Sequence, residues 1–200
     1  FWRQHLDGAP AGLALPFEAS PASVETSAAT VHRFELSPDL TRQVAERARG
    51  MGATSHMLLL AAFAAVLQRW TGQSTIVVGT PVANRRHPAT ETMHGFFVNT
   101  LPLVIACDAD ASFSQLVHRV REVALTAQVH QDVPFHQIVE RVNPPRLPGR
   151  NPLFQVSFVW QNTPRPSLVL PDLVVTGLPV HPGGAKVDLT LEMEERDDRI

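Results

Sequence analysis

SHMLLLAAFAAVLQRWTGQSTIVVGTPVANRR, residues 55–86, holds a fold in miniature: an apolar helix, a tight break, a β-branched strand and a basic loop. Met57 to Leu67 is apolar at every position, so this helix has no polar face and must be covered by other elements rather than lie on the surface. Polar side chains return only at Gln68 and Arg69. Thr71, Gly72, Gln73 and Ser74 break the helical pattern, and Thr75 to Val78, closed by Gly79, is the kind of short β-branched run that fills a central strand. Pro81, Asn84, Arg85 and Arg86 follow. Ligands of α/β sheets bind just beyond strand ends, so two arginines here are either site residues or ordinary surface charge.

Upstream, Phe1 to Pro16 reads as an irregular lead-in with at most one helical turn, and Phe17 to Thr30, rich in Ala, Ser, Pro and Thr, as a loop or linker. Val31 to Leu36 is a candidate strand. Ser37-Pro38-Asp39 then starts a helix with a hydroxyl cap, a proline at the first helical position and an early acid. That helix runs to Arg49, and Gly50 and Gly52 supply its stop.

Downstream, Leu101 to Cys107 is an apolar strand whose Pro102 points to a sheet edge or a strand start. Ser112 caps a helix from Phe113 to about Gln131, with Phe113, Leu116, Val117, Val120, Val123, Ala124 and Ala127 on one apolar stripe. His136 to Val142 forms a further short helix after Pro134. Leu153 to Gln161 alternates: Phe154, Val156, Phe158 and Trp160 face a core, while Gln155, Ser157 and Gln161 belong to the opposite, wetter face. Leu168 to Leu170 and Leu173 to Thr176 read as edge strands among prolines, and Val187 to Met193 as a half-exposed strand.

A chain of 200 residues, 44% hydrophobic with a formal charge of −2, is a globular composition, with no basic block to suit nucleic acid or an anionic membrane. The longest apolar run is too short to span a bilayer, and the N-terminus lacks a signal peptide's pattern, so a cytoplasmic setting is expected. Cys107, the single cysteine, reads as an inert small residue. The nine histidines are scattered without zinc-ligand spacing, and no metal site is expected. His130, Asp132 and His136 in HQDVPFH come nearest, but Pro134 breaks their helical alignment and leaves turn-forming polar residues. His5 and Asp7 in QHLDG resemble an acyltransferase histidine motif with the wrong spacing. No GxSxG, Walker A, HExxH or dinucleotide fingerprint is present.

Four loop signatures remain: GTPVANRR, HGFFVNT, HQDVPF and GRNPLF. In that order they resemble the C-terminal half of a nonribosomal peptide synthetase condensation domain: HGFFVNT its GxFVNT element, HQDVPF its (H/N)(Q/N)DxPF element, GRNPLFQVSF its RNPLFxxxF element. WRQHLDGAP near the start and AKVDLTL near the end fit the same pattern. The resemblance implies a chloramphenicol-acetyltransferase-like α/β fold, one two-layer subdomain with a mixed sheet and packed helices, spanning residues 1–200 and cut at both ends, with an irregular lead-in to residue 30 and the core from 31 on.

It further implies amide-bond formation between a donor acyl or peptidyl thioester and an acceptor aminoacyl thioester, both on phosphopantetheine arms of carrier proteins, with no cofactor bound directly. The partners implied are the N-terminal half of the domain, upstream and downstream peptidyl carrier proteins and an adjacent adenylation domain. The family's HHxxxDG histidine motif is absent here, so no catalytic residue is assigned and the chain alone is expected to be inactive. Arg85 matches the arginine that pairs with the aspartate of that motif. Gly95, Asn99, Arg150 and Asn151 match positions that shape the tunnel wall, residues 86–93 match its floor loop, and Ser157 lies on the strand facing the tunnel. The alternatives are an epimerisation or heterocyclisation relative, and a noncatalytic platform that docks carrier proteins.

Overall fold

The computed structural model describes residues 1–16, 29–146, 149–162, 170, 172–173, 175–176, 178, 180 and 183–200. Its elements in chain order are α1 (Trp2–His5), α2 (Pro38–Gly50), α3 (Ser55–Thr71), β1 (Thr75–Val82), α4 (Pro88–Glu91), β2 (Asn99–Ala106), α5 (Phe113–Val129), α6 (Phe135–Val142), β3 (Val156–Gln161) and β4 (Leu189–Glu194). The four strands form one mixed sheet in the order β2-β1-β3-β4, with β1 antiparallel to β2 and the other two pairings parallel. Register and alternation place Ile76, Val78, Leu101, Leu103, Ile105, Val156 and Phe158 on one face, and all seven are buried. α3 and α5 pack side by side with the strands, α2 lies on α3, and α1 pairs with α6.

The local signals set the helix ends. Ser37 Oγ accepts from Leu40 N, Thr54 Oγ1 accepts from Met57 N, and Ser112 with Gln115 makes a full capping box. Gly72, at φ +70, closes α3 in the left-handed conformation that a side chain would resist. α3 departs from the expectation of burial on every face. Val66 is 42% exposed and Trp70 half-exposed, because the sheet, α2 and α5 cover only part of the helix. Phe113 leaves the expected stripe of α5 in the same way: it is the first residue of the helix and is exposed, while Leu116, Val117, Val120, Ala124 and Ala127 are buried.

The strands differ more from expectation. β1 continues through Gly79 and Pro81 to Val82, and β2 occupies the sheet edge that Pro102 forecast. Residues 31–36 are no strand. Residues 31–35 are exposed and Leu36 is half-buried; the segment is tied to the chain end by Leu36 N to Ile200 O at 2.7 Å and by the Arg199–Glu35 ion pair at 3.1 Å, and among the described residues no strand ladder pairs with it. β3 starts only at Val156, since Leu153 turns at φ +71. Gln155 does not belong to the wet face. It is 2% exposed, its Oε1 accepts from Leu13 N at 2.8 Å, and its Nε2 donates to Asn151 O at 3.1 Å, so it ties the lead-in to the loop before β3. The two runs expected as edge strands after residue 167 fall partly outside the described residues, where an isolated bridge, Leu170 to Leu173, is what is described. The proposed linker falls outside from residue 17 to 28.

His56, at the start of α3, packs edge-on against Phe158 with centroids 5.4 Å apart, and burial lowers its pKa from the ordinary 6.5. Its neutral form is therefore favoured by folding. The unfolded chain takes up more protons as the pH falls below its ordinary value, so this contribution to stability is present above that pH and is lost on acidification. Replacing His56 by Phe should reduce the loss of urea resistance between about pH 7.5 and about pH 5. An unchanged loss in the variant would show that His56 is not among the groups responsible.

Candidate functional site

The loop between β1 and β2 is organised by Arg85. Its Nη1 donates to the carbonyls of Thr90 and Met93, the latter at 3.0 Å, and its Nη2 to that of Gly95 at 3.4 Å. The guanidinium also lies 4.3 Å over the Phe97 ring centroid, a cation–π contact. Gly95, at φ +155, lets that ring come close, since a Cβ there would stand 3.1 Å from it. Among the described residues Arg85 has no carboxylate partner, and backbone carbonyls take that place. Around this frame Phe96 is 92% exposed, and Met93 and Val98 are also open to solvent. Exposed apolar side chains grouped on one loop mark a surface that normally meets something else.

Asn99 opens β2 and is buried with its hydrogen-bonding capacity well used. Its Nδ2 donates to the carbonyls of Gln131 and Val133, both at 2.8 Å, and its Oδ1 accepts from Phe135 N at 3.0 Å. One side chain thus fixes the turn between α5 and α6 and the start of α6. Arg86 reaches the same turn through Asp132 at 2.5 Å, with both side chains more than half exposed. Phe135 packs against Phe154 at 5.4 Å between ring centroids, and Phe154 lies directly against Gly79. Ser157 Oγ donates to Gly79 O at 3.0 Å, and Thr80 Oγ1 donates to Phe158 O at 2.9 Å. These hydroxyls fasten β1 to β3, whose ladder is only two residue pairs long.

The four signatures scattered over the sequence therefore meet in one connected cluster. Arg85, Gly95 and Asn99 lie along the loop beyond β1, and Ser157 joins through Gly79. Asn151 stands further off, donating through Nδ2 to Lys186 O at 3.4 Å. Arg150 shares a cleft of about 470 Å³ with Phe135, His136, Val139, Glu140, Arg146 and Pro152, between the HQDVPF and GRNPLF signatures. A larger cleft, about 550 Å³, lies between α1 and the end of α6 and involves none of the six expected site residues. The smaller one is the cleft that adjoins the signatures.

Of the expected decoys, His130 stacks on Phe1 and its Nδ1 pairs with Thr126 O, while Asp132 turns to Arg86. Among the described residues no three His, Cys, Asp or Glu side chains are grouped to hold a metal. Burial pushes the Cys107 thiol up to about 11, which keeps it protonated and unreactive near neutral pH. No single helix among the described residues is long and apolar enough to cross a membrane. Sequence reasoning missed Asp132 as a partner of Arg86, and missed the contact of Phe154 with Gly79. A lone glycine inside a β-branched run was the available signal for the second, because such a glycine often marks a close approach.

Comparison with known proteins agrees with this geometry. The model of the Condensation domain family matches residues 1–200. Malpinin synthetase of Mortierella alpina is 42% identical over 200 residues, covering 100% of this chain and 3% of that protein. Phosphinothricin tripeptide synthetase PhsC of Streptomyces viridochromogenes is 37% identical over 198 residues, 98% of this chain and 18% of that protein. The chain thus spans a small part of the curated relatives it matches. Among solved structures, the X-domain from teicoplanin biosynthesis superposes with a TM-score of 0.89 at 29% identity, over 99% of this chain and 45% of that one. The same X-domain in complex with OxyB gives 0.86 at 30% identity, over 99% and 43%. The α/β architecture, with its mixed open sheet and packed helices, is accordingly the expected chloramphenicol-acetyltransferase-like fold. With a family match over its whole length and the family's separated signatures gathered into one cluster, this chain belongs to the condensation domains of nonribosomal peptide synthetases.

Proposed function

We propose that the chain is the C-terminal half of a condensation domain that joins a donor acyl or peptidyl thioester to the amine of an acceptor aminoacyl thioester. The substrates arrive on phosphopantetheine arms of upstream and downstream peptidyl carrier proteins, and an adjacent adenylation domain loads the acceptor. The chemistry is that of an amine attacking a thioester, helped chiefly by holding the two in register and managing one proton. The histidine motif belongs to the N-terminal half, so these 200 residues supply wall and floor rather than the proton-handling group, and they do not condense substrates alone. The observation that carries this reading is the convergence of Arg85, Asn99, Asp132, Phe154 and Ser157 into one cluster beyond and beneath β1.

In this reading Arg85 exchanges its carbonyl acceptors for the aspartate of the upstream motif. Breaking such a desolvated pair from one side costs roughly 3 to 5 kcal/mol. Gly95, Asn99, Arg150 and Asn151 shape the tunnel wall, residues 86–93 form its floor, and Ser157 faces it. The exposed Met93, Phe96 and Val98 are covered when the N-terminal half is in place.

The test is a condensation assay of the intact protein with loaded donor and acceptor carriers, reading the acceptor-bound product by mass spectrometry. Product is expected, and Arg85→Ala should lower its rate at least about tenfold. Carrier binding with no product would sink the enzyme reading. It would favour a docking platform, the alternative to which the X-domain's complex with OxyB lends support.

A further inference from the structure

His5 occupies a position that the condensation reading does not use. β2 is an outer strand, so half of its backbone groups face away from β1. Cys107 N bonds to Ser74 O across the β1 side, and alternation then turns the N–H groups of Leu101, Leu103 and Ile105 inward and that of Val104 outward. The outward row is partly closed, in three ways. Pro102 has no N–H to expose, Arg119 Nη1 donates to Ala106 O at 3.3 Å, and the Val104 N–H donates to His5 Nε2 at 3.3 Å. The Pro102 carbonyl also lies close to the His5 ring, where it favours the charged form.

α1 is held at its other end by the turn that Asn99 fixes. Trp2 Nε1 donates to His130 O at 3.2 Å, and the Phe1 ring stacks on His130, with centroids 3.9 Å apart, and on His5, at 5.2 Å. The helix thus spans from the edge of β2 to the residue preceding Gln131. We propose that His5 is a proton-operated plug on the outer edge of β2. As neutral imidazole it accepts from Val104 and keeps α1 docked. As imidazolium it presents a proton where it must accept one, and α1 lets go of the strand.

On β2 the cation is offered the Pro102 carbonyl but no carboxylate, since residues 99–106 carry no charged side chain. The other titratable and charged groups on the packed elements are Arg3 on α1 and Asp7 just after it, His118, Arg119, Arg121 and Glu122 on α5 with His130 at its C-terminal cap, and His136, Glu140 and Arg141 on α6. Arg3, Asp7 and Arg141 line the cleft between α1 and α6. Burial disfavours the imidazolium and outweighs the help of the Pro102 carbonyl, so the plug is closed at neutral pH and opens on acidification. Opening exposes the outward row of β2, the kind of edge that recruits another strand, and removes a stacking partner from His130 beside the signature turn.

The experiment is amide hydrogen exchange on the intact protein at about pH 7.5 and about pH 5, corrected for intrinsic exchange rates. Protection of Val104 should fall at least about tenfold on acidification, while Leu103 and Ile105, bonded inward, keep theirs. Unchanged protection at Val104, or parallel loss at all three amides, overturns the proposal. His5→Gln should remove the step, whether Val104 is then protected or open at both pH values, and His130→Asn should retain it. A step that survives His5→Gln, or that vanishes with His130→Asn, assigns it to another group. None of these readings depends on condensation activity.

Discussion

Replacing Gly79 by alanine is expected to destabilise the fold by about 3 kcal/mol, although it adds a single methyl group. A Cβ at this position would stand 2.4 Å from Phe154 Cε2 and 2.5 Å from Cζ, far inside van der Waals contact. The ring has little room to yield. Phe154 is buried, its backbone follows the turn at Leu153, and its other neighbour is Phe135 at the start of α6. The strand has little room either, because Gly79 is paired with Pro102 on one side and Ser157 on the other. The measurement is urea denaturation of the wild type, Gly79→Ala, Phe154→Leu and the double variant. The smaller, more flexible leucine should relieve the clash, giving a coupling of at least about 1 kcal/mol in the double-mutant cycle. Strict additivity would mean that the added methyl is accommodated elsewhere.

This contact also shows where sequence reading ends. Caps, breaks and apolar stripes depend on residues three or four apart, and Ser37, Gly72 and Ser112 did set the ends of their helices as expected. Pairings across the sheet depend on residues far apart in the chain. The run from Val31 to Leu36 has strand composition, yet among the described residues no ladder partner pairs with it, and composition alone does not create one. Gln155 belongs by alternation to a wet face, but the chain turns before β3 and carries its amide into the interior, where Leu13 and Asn151 satisfy it. The candidate site was legible in a different way. Its motifs identified the family and named the residues, while the roles of those residues as mutual supports, Arg85 holding its own loop and Asn99 holding another, required coordinates.

The network also limits how the cluster tolerates change. Arg86 and Asp132 are both more than half exposed, so their ion pair contributes little to stability, within about 1 kcal/mol, and its loss should leave the turn in place. Asn99 is the opposite case: the same turn depends on a side chain that solvent does not replace.

Asn99→Ala should therefore cost about 3 kcal/mol or more, since it strands the carbonyls of Gln131 and Val133 and the N–H of Phe135 in a partly buried place. Asn99→Asp provides the sharper comparison. It keeps the shape and the acceptor for Phe135 N, but sets carboxylate oxygen against two carbonyl oxygens that now receive a donated proton. If the clamp works through those two bonds, the aspartate variant at neutral pH should be no more stable than alanine. It should recover stability on acidification, as protonation restores one donor. That gain runs against the acid loss expected from His5 and His56, so it must be read as the difference between the variant and wild type at each pH. An aspartate variant as stable as wild type at neutral pH would mean that the turn between α5 and α6 holds itself. The convergence of the FVNT and HQDVPF signatures would then be proximity without support, and the reading of Asn99 as a part of the tunnel wall fixed by its own hydrogen bonds would lose its physical basis.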